Sequence, residues 1–175
     1  DDLPVEGAAH VTFVRSTIAH ARILSIDVDE ALTAPGVIGV YTAADLGVAP
    51  IPPEMGMLNQ SMPRSLLAQG TVRYVGEPVV AVVTEDKYQG QDAAELVFVD
   101  YDPLPAVVDP EASLAGDTLL FPEAGTNVAL DLSFGKSDTL FDGCDVVVRQ
   151  RIVNQRVAPC PLEVRAAACR WEPDG

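Results

Sequence analysis

The sequence predicts an α+β fold, a mixed sheet with a crossover helix followed by an extended β ribbon. Three observations carry the prediction. Residues Val72 to Asp109 change their apolar period from strand to helix and back to strand. Two apolar runs of strand character precede that stretch, between residues 11 and 28. Two long extended runs, Asp145 to Val157 and Glu163 to Trp171, follow it and would pair as a ribbon.

In chain order, Val11-Thr12-Phe13-Val14 and residues 21–28 read as strands joined by a turn from Ser16 to His20. In the second strand Leu24, Ile26 and Val28 share a face, and Arg22 falls at its outer end or in a partner surface. Asp29 to Leu32 reads as one helical turn, ended by Pro35-Gly36. Val37 to Tyr41 is a third strand, and a short helix through Ala44-Asp45-Leu46 is closed by Gly47. Residues 48–70 break this regularity with Pro50, Pro52, Pro53 and Pro63 and with all three methionines, Met55, Met57 and Met62. A loop of this length without structure of its own is usually functional or disordered. Two readings stand side by side: the methionines are adaptable contacts for a partner, or they cover a flank of the core.

The central stretch is the most informative. Val79-Val80-Ala81-Val82-Val83 is short, β-branched and preceded by Gly76 and Pro78, the pattern of a strand buried on both faces with Pro78 at its start. Glu85 and Asp86 then supply negative charge where a helix begins. Gly90, Ala93, Ala94 and Val97 follow at i, i+3, i+4 and i+7. One helical face is therefore made of small residues, which predicts close approach to a sheet. Phe98 to Tyr101 restores alternation, and Pro103 and Pro105 end it. Beyond lie a helical turn at Pro110 to Leu114, a loop from Ala115 to Thr126, a polar segment around Gly135-Lys136-Ser137-Asp138 and a short helical signal at Leu140-Phe141. The boundary falls in that loop, dividing residues 1–115 from a linker and first strands at 116–175.

A chain of 175 residues buries about 70% of its unfolded surface on folding, enough for a true core. It has no apolar run near the roughly 18 residues of a membrane span. The net charge of −15 argues against binding a phosphate backbone, so nucleic acid is not an expected partner. The charge is uneven. Residues 149–175 hold five Arg against Glu163, Glu172 and Asp174, so the remainder carries −17. Cys144, Cys160 and Cys169 form no CxxC pair and read as free thiols of a cytoplasmic protein. His10 and His20 lack a second His or Cys at ligand spacing, which speaks against zinc. The first residue is Asp1, and the chain is expected to be a piece of a longer polypeptide.

Candidate chemistry is sparse. There is no Ser-His-Asp arrangement and no glycine-rich phosphate loop. Asp100 and Asp102 share a strand face but read as solvated surface. Glu77 follows Gly76 in what reads as a turn feeding the buried strand. Asn154, Gln155, Arg156, Glu163 and Arg165 form the densest polar cluster, and two roles stay open: locking the ribbon turn through charge-assisted bonds or lining a pocket. No residue is assigned a catalytic, cofactor-binding or metal-binding role.

The runs FVRSTIAHARILSID, PGVIGVYTAADL and YVGEPVVAVVTEDKYQGQDAAELVFVDYDPLPAVVD together resemble a known domain. It is the α/β-hammerhead domain that opens the large subunit of the molybdenum hydroxylases, the xanthine dehydrogenase and aldehyde oxidase family. NQRVAPCPLEVRAAA is most similar to the aerobic carbon monoxide dehydrogenase large-subunit type. The resemblance covers Asp2 to about Trp171. It implies a hammerhead domain to about Ala115, then the beginning of the molybdopterin-binding region. It implies an oxidoreductase parent that holds a molybdenum cofactor and passes electrons to iron–sulfur and flavin (FAD) partners. The segments that bind the cofactor in that family, a GGGFGG-type segment, an active-site loop and a late catalytic glutamate, are not in these 175 residues. The implied role here is structural, with no cofactor in the fragment and the rest of the large subunit as first partner. Carbon monoxide, an aldehyde or an N-heterocycle remains open as substrate, because fold does not fix chemistry. The competing expectation is a non-enzymatic acidic protein-interaction module using the Met-rich loop and the ribbon. The open ribbon edge adds an expectation of self-association.

Overall fold

The computed structural model describes residues 5–135, 137–155 and 157–172. Residues Ala8–Asp131 form one compact unit, and the remaining described residues form another. Among the described residues all regular elements lie in the first unit. In order they are β1 (His10–Arg15), β2 (Ala21–Asp27), α1 (Asp29–Leu32), β3 (Val37–Tyr41), α2 (Ala43–Leu46), β4 (Thr71–Val72), β5 (Pro78–Thr84), α3 (Lys87–Glu95), β6 (Phe98–Pro103) and α4 (Pro110–Ala115), with a 3-10 turn at Pro122–Ala124.

The strands make two three-stranded sheets, ordered β1-β5-β3 and β4-β2-β6. Strand β5 sits between β1 and β3, and Val79, Val80, Val82 and Thr84 are fully buried. Burying each valine contributes about 1.5–3 kcal/mol. Pro78 is the first residue of β5, where its missing N–H costs no ladder bond.

Helix α3 starts at Asp86, whose side chain accepts from the Tyr88 N–H at 2.8 Å while the Gln89 side chain accepts from the Asp86 N–H at 3.0 Å. This reciprocal capping box fixes the helix start that the acidic residues signal. The small-residue face meets the sheet as expected, with Gly90 and Ala93 buried and Ala94 and Val97 packed on the core. A Cβ on Gly90 would stand 2.2 Å from Thr12 Oγ1 and 3.0 Å from Thr12 Cβ.

The α+β class holds, and two of its expected details differ. Helix α3 joins two strands, but β5 and β6 belong to different sheets, and every strand pairing among the described residues is antiparallel. The reason is occupancy: both edges of β5 are filled by β1 and β3, so β6 pairs with β2 instead. The second difference is the ribbon. Among the described residues from 129 onward there is no strand, and Leu140-Phe141 lie in successive turns, not a helix. Val146, Val148, Ile152, Val157 and Val164 are exposed. Alternating apolar residues make a strand when they have a face to bury against, and these find none. The expected self-association through a ribbon edge therefore loses its structural basis.

Replacing Gly90 by Ala tests the close approach. In an open helix the change would gain about 1 kcal/mol of helix propensity. Here the clash with Thr12 reverses the sign, with a net loss of about 1–3 kcal/mol in urea unfolding, relieved when Thr12→Ala is added.

Candidate functional site

Two places gather the candidate residues: the turn that precedes β5, and the long loop before it. At the turn, Gly76 takes φ 91°, a left-handed conformation that favours glycine. Its N–H donates to the Ser16 carbonyl at 2.7 Å, and the Ser16 N–H donates to the Glu77 carbonyl at 2.8 Å. Arg15 adds a guanidinium bond to the Gly76 carbonyl at 2.9 Å. The Glu77 carboxylate accepts from the Arg73 backbone N–H. Glu77 is thus a turn residue, as its sequence context indicates.

Ser16 and His20, at the two ends of the β1–β2 connection, are buried. The Ser16 hydroxyl donates to the Ile18 carbonyl at 2.7 Å. The Nδ1–H of His20 donates to the Pro105 carbonyl at 2.7 Å, tying the connection to the end of β6. Burial pushes the Tyr101 phenol above its ordinary range, the Glu77 carboxylate acts in the same direction, and a hydrogen bond from Ser16 opposes them.

Arg73 ties this turn to the segment that follows α4. Its Nε donates to the Leu120 carbonyl at 2.9 Å, and its guanidinium lies 4.5 Å from the Phe121 ring centroid. Asn127 completes the attachment, donating to the Thr118 and Ser113 carbonyls and accepting from the Leu120 N–H at 3.0 Å. Residues 117–128 are thereby a strap on the compact unit. Neither residue carries a sequence signal for this role, because a lone Arg and a lone Asn have no period or spacing.

The other candidates are dispersed. Asp102 pairs with Arg22 at 2.8 Å on the solvent side, and Asp100 is exposed beside it. Asn154, Gln155, Glu163 and Arg165 are all exposed without the ribbon that was to carry them, while Arg156 and Lys136 lie outside the described residues. In the long loop, Ile51 and Arg64 exchange backbone bonds at 2.7 and 2.9 Å. Met55, Leu58 and Met62 line a hollow of about 380 Å³ with Pro53, Arg64 and Ala129. The core is sealed on this side by Leu67 and Ala68, and no methionine is fully buried.

Chemically the arrangement is self-satisfied. No buried side-chain N or O among the described residues lacks a partner, and no three His, Cys, Asp or Glu among them group as metal ligands. Hydrogen-bonding capacity is spent on turns and straps.

A sequence model of the family described as "Aldehyde oxidase and xanthine dehydrogenase, a/b hammerhead domain" matches residues 1–105. The chain belongs to this family of α/β-hammerhead domains. It is 40% identical over 98% of its length to the 6-hydroxypseudooxynicotine dehydrogenase complex subunit gamma of Paenarthrobacter nicotinovorans, covering 23% of that protein. It is 36% identical over 93% of its length to the carbon monoxide dehydrogenase large chain of Afipia carboxidovorans, covering 22% of it. The solved quinoline 2-oxidoreductase of Pseudomonas putida 86 aligns with a TM-score of 0.61 and 40% identity, over 67% of this chain and 15% of that one. The chain thus spans about a quarter of the length of these two curated relatives.

Two measurements check this geometry. Arg73→Ala removes the tie to Leu120 and Phe121 and lowers stability by about 1–3 kcal/mol, with faster amide exchange in residues 118–128. Arg73→Lys does not restore it, since a planar guanidinium is required. For Tyr101, whose folded-state value is raised, stability tied to the neutral phenol is whole below the unfolded value of about pH 10 and is lost as pH rises from there through the higher folded value. In a phenolate absorbance titration, the highest-pH step disappears in Tyr101→Phe.

Proposed function

We propose that this chain is the N-terminal structural part of the large subunit of a molybdenum-dependent hydroxylase or dehydrogenase. The observation that carries the reading is the match over 98% of the chain, well past residue 105, to a dehydrogenase complex subunit about four times as long. Residues 1–115 are the hammerhead and residues 116–175 open the cofactor-binding region, with 117–128 strapped back on the first. Relatives named for carbon monoxide and for nicotine derivatives support a small-molecule oxidation or hydroxylation as the parent's reaction.

The parent holds the molybdopterin cofactor in segments outside these residues, and iron–sulfur and flavin subunits take the electrons. The donor set here does not fit a metal, since its carboxylates are dispersed and its polar atoms already paired. On this proposal catalysis and cofactor binding lie in the rest of the parent, and no such role is assigned to this chain. The exposed thiols Cys144, Cys160 and Cys169 suit a reducing compartment and support a cytoplasmic location. No helix among the described residues is long and apolar enough to cross a membrane.

Metal analysis with dye reduction tests the reading. The full-length parent carries about one molybdenum per large subunit and reduces an electron-accepting dye. Residues 1–175 alone carry none and do not turn over. Molybdenum bound to the short chain, or absent from an active parent, overturns the proposal.

A further inference from the structure

Alternation along the first sheet sends its two faces to different fates. Thr12 and Thr84 lie against Gly90 of α3, so residues in register with them face the helix. The opposite face carries two rows, Val11, Val83 and Gly39, then Phe13, Ala81 and Tyr41. Val11 is 54% exposed, Phe13 43% and Tyr41 40%, and even on the central strand Ala81 and Val83 are only partly covered. None of the six is acidic, in a chain with 26 Asp and Glu.

The second sheet makes the contrast. Its outward pairs are Arg22 with Asp102, Ser25 with Asp100 and Asp27 with Phe98; Leu24 at the bulge and Phe98 are exposed there singly, among five polar residues. A Cβ on Gly39 would stand 2.6 Å from the Tyr41 hydroxyl, so the Tyr41 ring lies across the glycine. An antiparallel sheet with an apolar second face is half of a layered structure.

We propose that this face is the docking surface for the part of the parent polypeptide that follows residue 175, an apolar layer laid across Val11, Phe13, Val83 and Tyr41. The inference rests on the parent reading above. About three quarters of the length of the subunit gamma and of the large chain named above lies outside the region this chain covers, which supplies the occupant. A second copy is disfavoured by charge. Residues Ala8–Asp131 hold five Lys and Arg against seventeen Asp and Glu, and stacking two such units of −12 sets like charge against like.

Pulsed maleimide labelling of the full-length parent tests the inference. Val11→Cys and Tyr41→Cys are compared with Tyr88→Cys, a position 72% exposed on α3. Peptide mass mapping separates these sites from Cys144, Cys160 and Cys169, and each rate is divided by its rate in urea. The expected result is labelling at positions 11 and 41 at least about tenfold slower than at 88 in the folded parent, independent of protein concentration. Equal labelling at all three sites overturns the inference. So does protection that grows with concentration, which marks a second copy, or protection that needs the iron–sulfur or flavin subunit. Molybdenum content, measured on the same preparation, reports separately on the parent reading.

Discussion

Strand β5 is the constraint from which the rest of the compact unit follows. It has a neighbour on both edges and a helix on one face, and its side chains are among the most deeply buried of the described residues. A strand so enclosed needs small, branched, uncharged residues, and it needs the covering helix to come close. Gly90 permits that approach by leaving room for Thr12. The turn before β3 is shaped by the same demand. Gly36, at φ 74°, lies where a Cβ would strike the Gln89 side chain, and its carbonyl accepts from the Glu85 N–H at 2.9 Å. Gln89 can then reach back to cap α3. Filling both edges of β5 also forces β6 away, so the second sheet is a consequence of the first.

The polar groups serve this arrangement. Arg15, Ser16, Gly76 and Glu77 knot the entry to β5, while His20 pins the β1–β2 connection to the end of β6. Arg73 reaches in the other direction and carries the strap. Each of these contacts closes a loop between segments tens of residues apart, where ordering entropy must be offset. A reaction centre keeps polar atoms underpaired or poised for a substrate. Here the buried side-chain polar atoms of the described residues are satisfied by the chain itself, as the proposed structural role requires.

Local structure was legible in the sequence because local physics wrote it. Asp86 and Gln89 mark the start of α3, the Gly90–Ala93 face marks its packing side, and Pro78 marks the first residue of β5. Glu77, Asp100 and Asp102 were legible too, since turns and alternation place them without tertiary knowledge. Pairing was not legible. Whether β6 joins β5 or β2 depends on which strands claim the edges of β5, and no residue of β6 records that. The strap is illegible for the same reason, because Arg73 and Asn127 act on carbonyls, and any sequence has carbonyls. In the long loop the two methionine readings turned on burial, and the residues that enter the core are Leu67 and Ala68.

The misread ribbon and the bare sheet face share one lesson about what an apolar pattern encodes. Residues 145–171 alternate well enough to read as strands, yet Val146, Val148, Ile152 and Val164 stand in solvent. Val11, Phe13 and Tyr41 do form strands, because β5 pairs with both of theirs, and still remain half covered. In both places the pattern specifies a surface to be buried, and burial requires a second surface. Where backbone pairing is available within the chain, the strand forms and only the face waits. Where it is not, the strand itself waits. An apolar period is therefore a statement about a surface to be buried, and the bare rows of the first sheet mark where the proposed docking would bury it.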